Sequence, residues 1–247
     1  MHDEIRHDRR AAIRDGLGVG IAVGVSGVAF GAAAITAGLS VPQACALSLV
    51  AFTGASQFAL AGVVAGGGGL VAGTAGALLL GVRNSFYGLR LAVILEGGGR
   101  LRRLLTAQGV IDETTAVALA QPNAAAARAG FFTTFAAVYL MWNLTTLLGA
   151  LGASQVSDPA VFGLDVVGPA TFVALLWPRL RGDERTPKAE TARIRLIAAG
   201  GAAIALAATP VTAPGVPVLL AATAALVVML LPEQSTEPEQ NAEEASA

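Results

Sequence analysis

No charged residue occurs from Gly16 to Val82. A run of that length, enough for about three helical crossings of ~20 residues each, confines the chain to folds that can be buried in hydrocarbon. Inside it stands Phe52-Thr53-Gly54-Ala55-Ser56-Gln57-Phe58, a polar, glycine-bearing interruption. Each polar group left unpaired at membrane depth is costly, and irregular backbone is tolerated there only where protein or a wet cavity surrounds it. Interrupted helices of this kind expose backbone N–H and C=O groups to a substrate near the midplane. The stretch is therefore the first candidate for a substrate site.

Composition supports the same class. The hydrophobic fraction is 54% and the charged fraction 13%, against roughly 25% charged in a soluble domain, and mean hydropathy is +0.65. The 30 glycines imply helices that approach closely. A net charge of −1 leaves no basic footprint for nucleic acid. The lone Cys45 is a small hydrophobe in an apolar helix, and His2 and His7 lie in the charged N-terminal segment, so no metal cluster and no cofactor is expected.

The chain is expected to divide into a polar N-terminal tail (1–15), a transmembrane domain (16–232) and a disordered acidic tail (233–247). The apolar stretch after residue 15 continues without a cleavage-site pattern, which predicts a retained first helix rather than a signal peptide. Its glycines at 16, 20, 24, 27 and 31 share one face and permit a neighbouring backbone to come near. Gly38-Leu39-Ser40-Val41-Pro42 reads as a tight helix-to-helix turn, with Gly38 a C-cap and Ser40 an N-cap. A second span (43–65) contains the interruption, and a third (70–95) carries Arg83, Asn84, Tyr87 and Arg90. Arg83 lies ~20 Å along that span, deeper than snorkelling from its end readily explains. A polar connection (96–128) follows, in which Asp112-Glu113-Thr114-Thr115 opens a short helix as an acidic first turn does.

A fourth span (129–153) and a fifth, starting after Ser157-Asp158-Pro159 and reaching residue 177, lead to a second basic loop (179–195) and two weaker spans (196–208, 216–231). The fifth span holds a second interruption, Gly163-Leu164-Asp165-Val166-Val167-Gly168-Pro169-Ala170-Thr171-Phe172, where Pro169 is expected to free the carbonyl of Asp165. Shifting the chain by 114 positions lays Gly54 on Gly168 and Phe58 on Phe172, so the two breaks coincide. The expected fold is all-α, a polytopic transmembrane helix bundle of about six to seven spans with broken helices in a 3+3 inverted repeat. Charge placement conflicts with three plain crossings before residue 96: both basic loops then share a side while Arg6, Arg9, Arg10 and Arg14 fall opposite. A re-entrant second span would remove the conflict, and the crossing count stays open.

The ordered set Gly27-Val28-Ala29-Phe30-Gly31, Gly38-Leu39-Ser40, Phe52 to Phe58, Arg83-Asn84 with Tyr87-Gly88, Asp112-Glu113-Thr114, and Gly163-Leu164-Asp165 with Pro169-Ala170 resembles the AzlC-type branched-chain amino acid permeases. These form the large subunit of a two-component exporter. The resemblance covers residues 16–178. It implies efflux of branched-chain amino acids or analogues and a small hydrophobic membrane partner of the AzlD type.

The substrate-binding candidates are Thr53, Gly54, Ala55, Ser56, Gln57, Phe58, Arg83, Asn84, Asp165, Gly168, Pro169 and Thr171, with Asp165 also the candidate for proton coupling. Half-helix N-termini suit a substrate carboxylate, freed carbonyls its ammonium, and Phe58 and Phe172 its apolar side chain. Arg83 pairs with Asp165 or a helix C-terminus in one reading and meets the substrate carboxylate in another. Two function classes stand: a proton-coupled permease of the bacterial plasma membrane, and a membrane scaffold or accessory subunit whose breaks dock a partner. An intramembrane enzyme is disfavoured by the lack of a nucleophile–base set.

Overall fold

The computed structural model describes residues 2–95, 97–156, 163, 166–182, 186–213 and 215–230, and every regular element among them is a helix. The stretches Glu4–Thr36, Ala124–Ser154 and Lys188–Ala208 are long and apolar enough to cross a membrane. The acidic tail expected over 233–247 lies outside the described residues.

Helices α1 (His2–Val25) and α2 (Gly27–Thr36) form one rod, bent at Ser26, whose hydroxyl donates to the Val23 carbonyl at 2.6 Å. The polar segment 1–15 is thus helical from His2 onward, with Asp3 and Glu4 at the positive end of the helix dipole. The rod packs along α8 (Ala124–Ser154) through the glycine face. A Cβ placed on Gly16, Gly20, Gly24, Gly27 or Gly31 would strike Thr134, Ala137, Met141, Thr145 or the Thr146 carbonyl, and one on Gly149 would strike the Val28 carbonyl. Only at this separation can the Thr145 hydroxyl reach the Gly24 carbonyl of the neighbouring helix, at 2.6 Å. The partners rise in number as the glycines do, so the two helices run parallel.

The turn after α2 forms as its residues dictate. Gly38 takes φ +90, and the Ser40 hydroxyl accepts from the Gln43 N–H while the Gln43 side chain accepts from the Ser40 N–H, capping α3 (Val41–Val50) with Pro42 in its first turn. The second span is not one helix but two, α3 and α4 (Gly54–Ala65), and the chain folds back between them. Leu47 and Gln57 are equidistant from Phe52. In a straight helix they would stand ~15 Å apart, yet Gln57 Nε2 donates to the Leu47 carbonyl at 3.3 Å. Each arm, 10 or 12 residues long, extends ~15–18 Å, about half of a ~30 Å hydrocarbon core.

Helix α5 (Leu70–Ala92) runs antiparallel to α4: Gly73 faces Leu60 and Val63, and the Ala77 carbonyl accepts from the Ser56 hydroxyl at 2.8 Å. It returns the chain to the end where α1 began. There the connection forms α6 (Arg100–Gln108), with Leu101, Leu104 and Leu105 exposed, and α7 (Asp112–Leu119). The Asn123 side chain caps α8 by accepting from the Ala126 N–H at 2.9 Å, and its amide donates to Asp8 Oδ2 at 2.8 Å. This bond ties the arginine-bearing N-terminal segment to the end of the first basic loop. Because the hairpin doubles back, both lie at one end of the bundle, which removes the charge conflict in the sequence.

Helix α9 (Val167–Arg181) passes α4 antiparallel, Phe172 beside Phe58, and Arg195 of α10 (Lys188–Ala208) donates to the Leu180 carbonyl at 2.8 Å. The second basic loop therefore shares the end of the first. Gly215 reaches Val63 and Ala72 at the far end, and α11 (Val216–Ala221) and α12 (Thr223–Leu230) return until the Val228 carbonyl meets Arg193 at 3.1 Å. A three-span inverted repeat requires α1 and α8 to run in opposite directions; they run the same way, while α4 and α9 run oppositely. No single rotation carries both pairs, so the 114-residue coincidence does not describe the arrangement of these helices.

Candidate functional site

A cavity of about 380 Å³ opens beside the apex of the α3–α4 hairpin. Phe52, Thr53, Gly54, Ala55 and Phe58 line it from the hairpin. Val23 and Ser26 do so from the bend of the α1–α2 rod, Leu80, Arg83 and Asn84 from α5, Val138 and Trp142 from α8, and Phe172, Leu176 and Arg179 from α9. Ile111, Asp112 and Glu113 complete the wall at the start of α7. Six of the residues expected at the site from sequence, Thr53, Gly54, Ala55, Phe58, Arg83 and Asn84, are thereby brought together. A larger cavity, about 470 Å³ between the end of α5 and α6, has Arg103 as its one charged lining residue among the described residues and contains none of these six.

Ser56 and Gln57 are not on the cavity wall. Gln57 is fully buried, accepting from the Trp142 indole N–H at 3.1 Å and donating to Leu47, and the Ser56 hydroxyl is spent on Ala77. Both hold the hairpin against its neighbours. Gly168 and Pro169 fall in the first turn of α9, where an N–H has no intrahelical acceptor to lose, so Pro169 does not break the helix. Pro169 does not line the cavity, and Gly168 and Thr171 are placed on α9. Asp165 lies outside the described residues.

The two arms of the hairpin meet the cavity differently. The carbonyls at the end of α3 are already occupied: Leu49 accepts from Tyr139 and Gln108, Val50 from Gln108, and Leu47 from Gln57. These three carbonyls are thus engaged by side chains of the protein, while the carbonyl of Asp165 that sequence expected to be freed lies outside the described residues. The start of α4 is open instead. Thr53 caps it without a side-chain bond, and among the described residues no group accepts from the N–H of Gly54 or Ala55. A Cβ on Gly54 would stand 3.3 Å from the Trp142 ring, so glycine lets the indole close over this helix end. Backbone N–H groups at a helix start, with the dipole behind them, favour an anion.

Polar groups of the other kind gather on α5 and α7. Arg83 pairs with Asp112 at 2.9 Å, an acceptor that sequence reading did not consider for it. Asp112 Oδ1 and Asn84 Oδ1 are buried with no hydrogen-bond donor among the described residues, an unusual state for buried acceptors. Glu113 makes no ion pair among the described residues, and its carboxyl is held above its ordinary range. Burial is the main cause and Asp112 adds to it, while its own backbone N–H and Arg83 oppose. Sequence reading placed Asp112 and Glu113 at a helix start and within the set of motifs that carries the family resemblance, and gave them no role at the site. The signal that could have found them is two adjacent acids set between Val110-Ile111 and Val117-Ala118, with no basic residue one turn on. Opposite them, the Phe58 and Phe172 rings meet edge to face, centroids 6.2 Å apart, and with Leu80, Leu176 and Trp142 make an apolar wall.

A helical membrane protein with half-depth broken helices around one mixed polar and aromatic cavity is built as a permease is. The family model described as AzlC protein matches residues 18–156, more than half of the chain, and the chain belongs to that family. The family is one of membrane permeases related to branched-chain amino acid transport that work with a small partner. No curated protein and no solved structure matches the chain.

Proposed function

We propose that this protein is a multi-pass permease of the bacterial plasma membrane that exports branched-chain amino acids or close analogues, coupled to protons, together with a small hydrophobic AzlD-type subunit. The observation that carries the reading is the composition of the hairpin cavity. It offers N–H groups at the start of α4 for a carboxylate and the acceptors Asn84, Asp112 and Glu113 for an ammonium. Phe58, Phe172 and Leu176 supply an aliphatic-sized wall. Its volume lies within the ~300–1,000 Å³ range of small-molecule sites. Membership of the family supports the substrate class, the export direction and the small partner.

The directions of the helices support the following arrangement in the bilayer. The N-terminal segment and both basic loops face the cytoplasm in this reading, which the distribution of arginines supports. The α1–α2 rod, α5, α8, α9, α10 and α11–α12 cross, and α3–α4 enters from outside as a re-entrant hairpin. Irregular backbone at its apex is then covered by Trp142, Phe135 and Tyr139 rather than by lipid.

The test is efflux of preloaded radiolabelled leucine, isoleucine and valine from proteoliposomes, with this chain alone and with a small partner subunit. Efflux that needs the partner and collapses when the pH gradient is dissipated is the expected result. Absence of efflux for all three in both arrangements, with the protein inserted, would refute the substrate class.

A further inference from the structure

We propose that Glu113 is the residue that carries the coupling proton, and that Asp112 is withheld from that task by its ion pair with Arg83. This rests on the permease reading above and assigns a role within the same cavity. Three observations lead to it. Adjacent acids on one helix turn are treated differently by the fold: Asp112 is bonded to Arg83 at 2.9 Å, whereas Glu113 faces the cavity without a counter-ion among the described residues. The wall around it is mostly apolar, with Val23, Leu80, Ile111, Val138, Leu176 and Trp142, a setting that favours a neutral carboxyl when no cation is bound. Finally, the carbonyls of Leu47, Leu49 and Val50 already accept from Gln57, Tyr139 and Gln108, so the side-chain acceptors Asn84, Asp112 and Glu113 are the groups placed to meet an ammonium, and of these the two acids can exchange a proton.

Among the described residues, the other titratable or charged groups on the cavity wall are Arg83 on α5, Arg179 on α9 and Asp112 on α7. From α1, α2 and α8 the lining residues Val23, Ser26, Val138 and Trp142 carry none. A substrate ammonium entering from the cytoplasmic end stabilises ionised Glu113, and the proton on Glu113 is released to water at that end. After the amino acid leaves on the other side, a proton from there returns to Glu113 and neutralises it for the return step. One proton moves inward for each amino acid moved outward, and no other reactant is needed. Because substrate and proton compete for one carboxylate, affinity falls about tenfold for each pH unit below the point where Glu113 takes up its proton.

The experiment uses the full chain with its small partner in liposomes, in a Trp177→Phe background so that Trp142, which lines the same cavity, is the remaining tryptophan. Leucine binding is followed by Trp142 emission across pH, and gradient-driven efflux is compared with efflux in the absence of a gradient. In the wild type the affinity is expected to drop tenfold per unit on the acid side. In Glu113→Gln the profile flattens and the ratio of driven to undriven efflux falls to one; Glu113→Asp restores a sloping profile with a shifted midpoint. A wild-type slope and wild-type driven ratio in Glu113→Gln overturn the assignment. A flat profile in Asp165→Asn alongside a sloping one in Glu113→Gln also overturns it and moves the proton to Asp165. If the wild type binds none of leucine, isoleucine or valine, the substrate reading fails separately. Glu113 is then judged by the pH titration of Trp142 emission in ligand-free protein: a transition lost in Glu113→Gln supports it, and one that persists unchanged overturns it.

Discussion

Replacing Gln57 by leucine separates a hairpin clamp from a substrate ligand. Gln57 is fully buried and makes two bonds that hold the α3–α4 fold-back: its amide donates to Leu47 at 3.3 Å and its carbonyl accepts from the Trp142 indole at 3.1 Å. Leucine leaves the indole N–H buried without an acceptor, at a cost of about 1–3 kcal/mol. The Leu47 carbonyl still accepts from Ala51 at 2.9 Å, so that loss is smaller, about 0.5–1.5 kcal/mol. Together they amount to roughly 1.5–4.5 kcal/mol. At about 2–4 °C per kcal/mol for a chain of this size, the midpoint should fall by ~3–18 °C. Trp142→Phe alone strands the Gln57 carbonyl, while the double variant strands neither partner, so the double should cost about 1–2 kcal/mol less than the sum of the singles. The assay is the fraction of monodisperse protein remaining after heating in detergent, compared with leucine efflux. An unchanged midpoint in Gln57→Leu combined with lost substrate binding would refute the clamp and restore Gln57 to the site.

Further outcomes follow from other contacts. Gly149→Leu, which drives a side chain into the Val28 carbonyl, should cost more than about 3 kcal/mol, whereas Gly18→Ala and Gly62→Ala, with open space around them, should leave the heating midpoint within a few degrees. The Arg83–Asp112 pair is partly exposed, so Asp112→Asn should change stability by no more than ~1 kcal/mol while weakening leucine binding. In a Cys45→Ala background, single cysteines at positions 8, 101 and 186 should all be labelled from the same face of the membrane; opposite labelling of position 8 would refute the parallel course of α1 and α8. Stability should also depend on Glu113. Its folded-state affinity for a proton exceeds that of the unfolded chain, whose carboxyl titrates near 4.5. Stability is therefore highest at acid pH with respect to this group and declines as pH rises from there through the raised folded value. Glu113→Gln should remove that decline from a heating series run across pH.

What could be read from the residues before folding was what local rules decide. The glycine face of α1 and the cap at Ser40 follow from spacing and residue type and stand where those rules place them, whereas the break read over Thr53 to Phe58 is confined to residues 51–53, Gly54 to Phe58 being helical. Which polar residues of the break touch the cavity could not be read, because Thr53 and Gln57 differ in role through the fold-back alone. Gln57 turns to Leu47 and Trp142, while Thr53 is left at the open helix start. The direction of the second span also depends on this fold-back, and with it the orientation of everything after it. Asp112 and Glu113 were legible as an acidic first turn, a local explanation complete in itself. Only the packing of α7 against α5 and α8 brings them to the cavity.

The glycine seam between α1 and α8 also bears on how the chain is made. Thr145 and the Gly24 carbonyl it bonds are 121 residues apart, and everything from the hairpin to α7 is synthesised between them. At about 5–20 residues per second the first helix waits roughly 6–24 s in the bilayer before its partner emerges from the ribosome. During that interval its small-residue face is open to lipid and to any other helix with a matching face. A nascent chain of this design is thus most vulnerable to mispairing at its beginning, and a companion that shields α1 until α8 arrives would act on yield rather than on the finished protein.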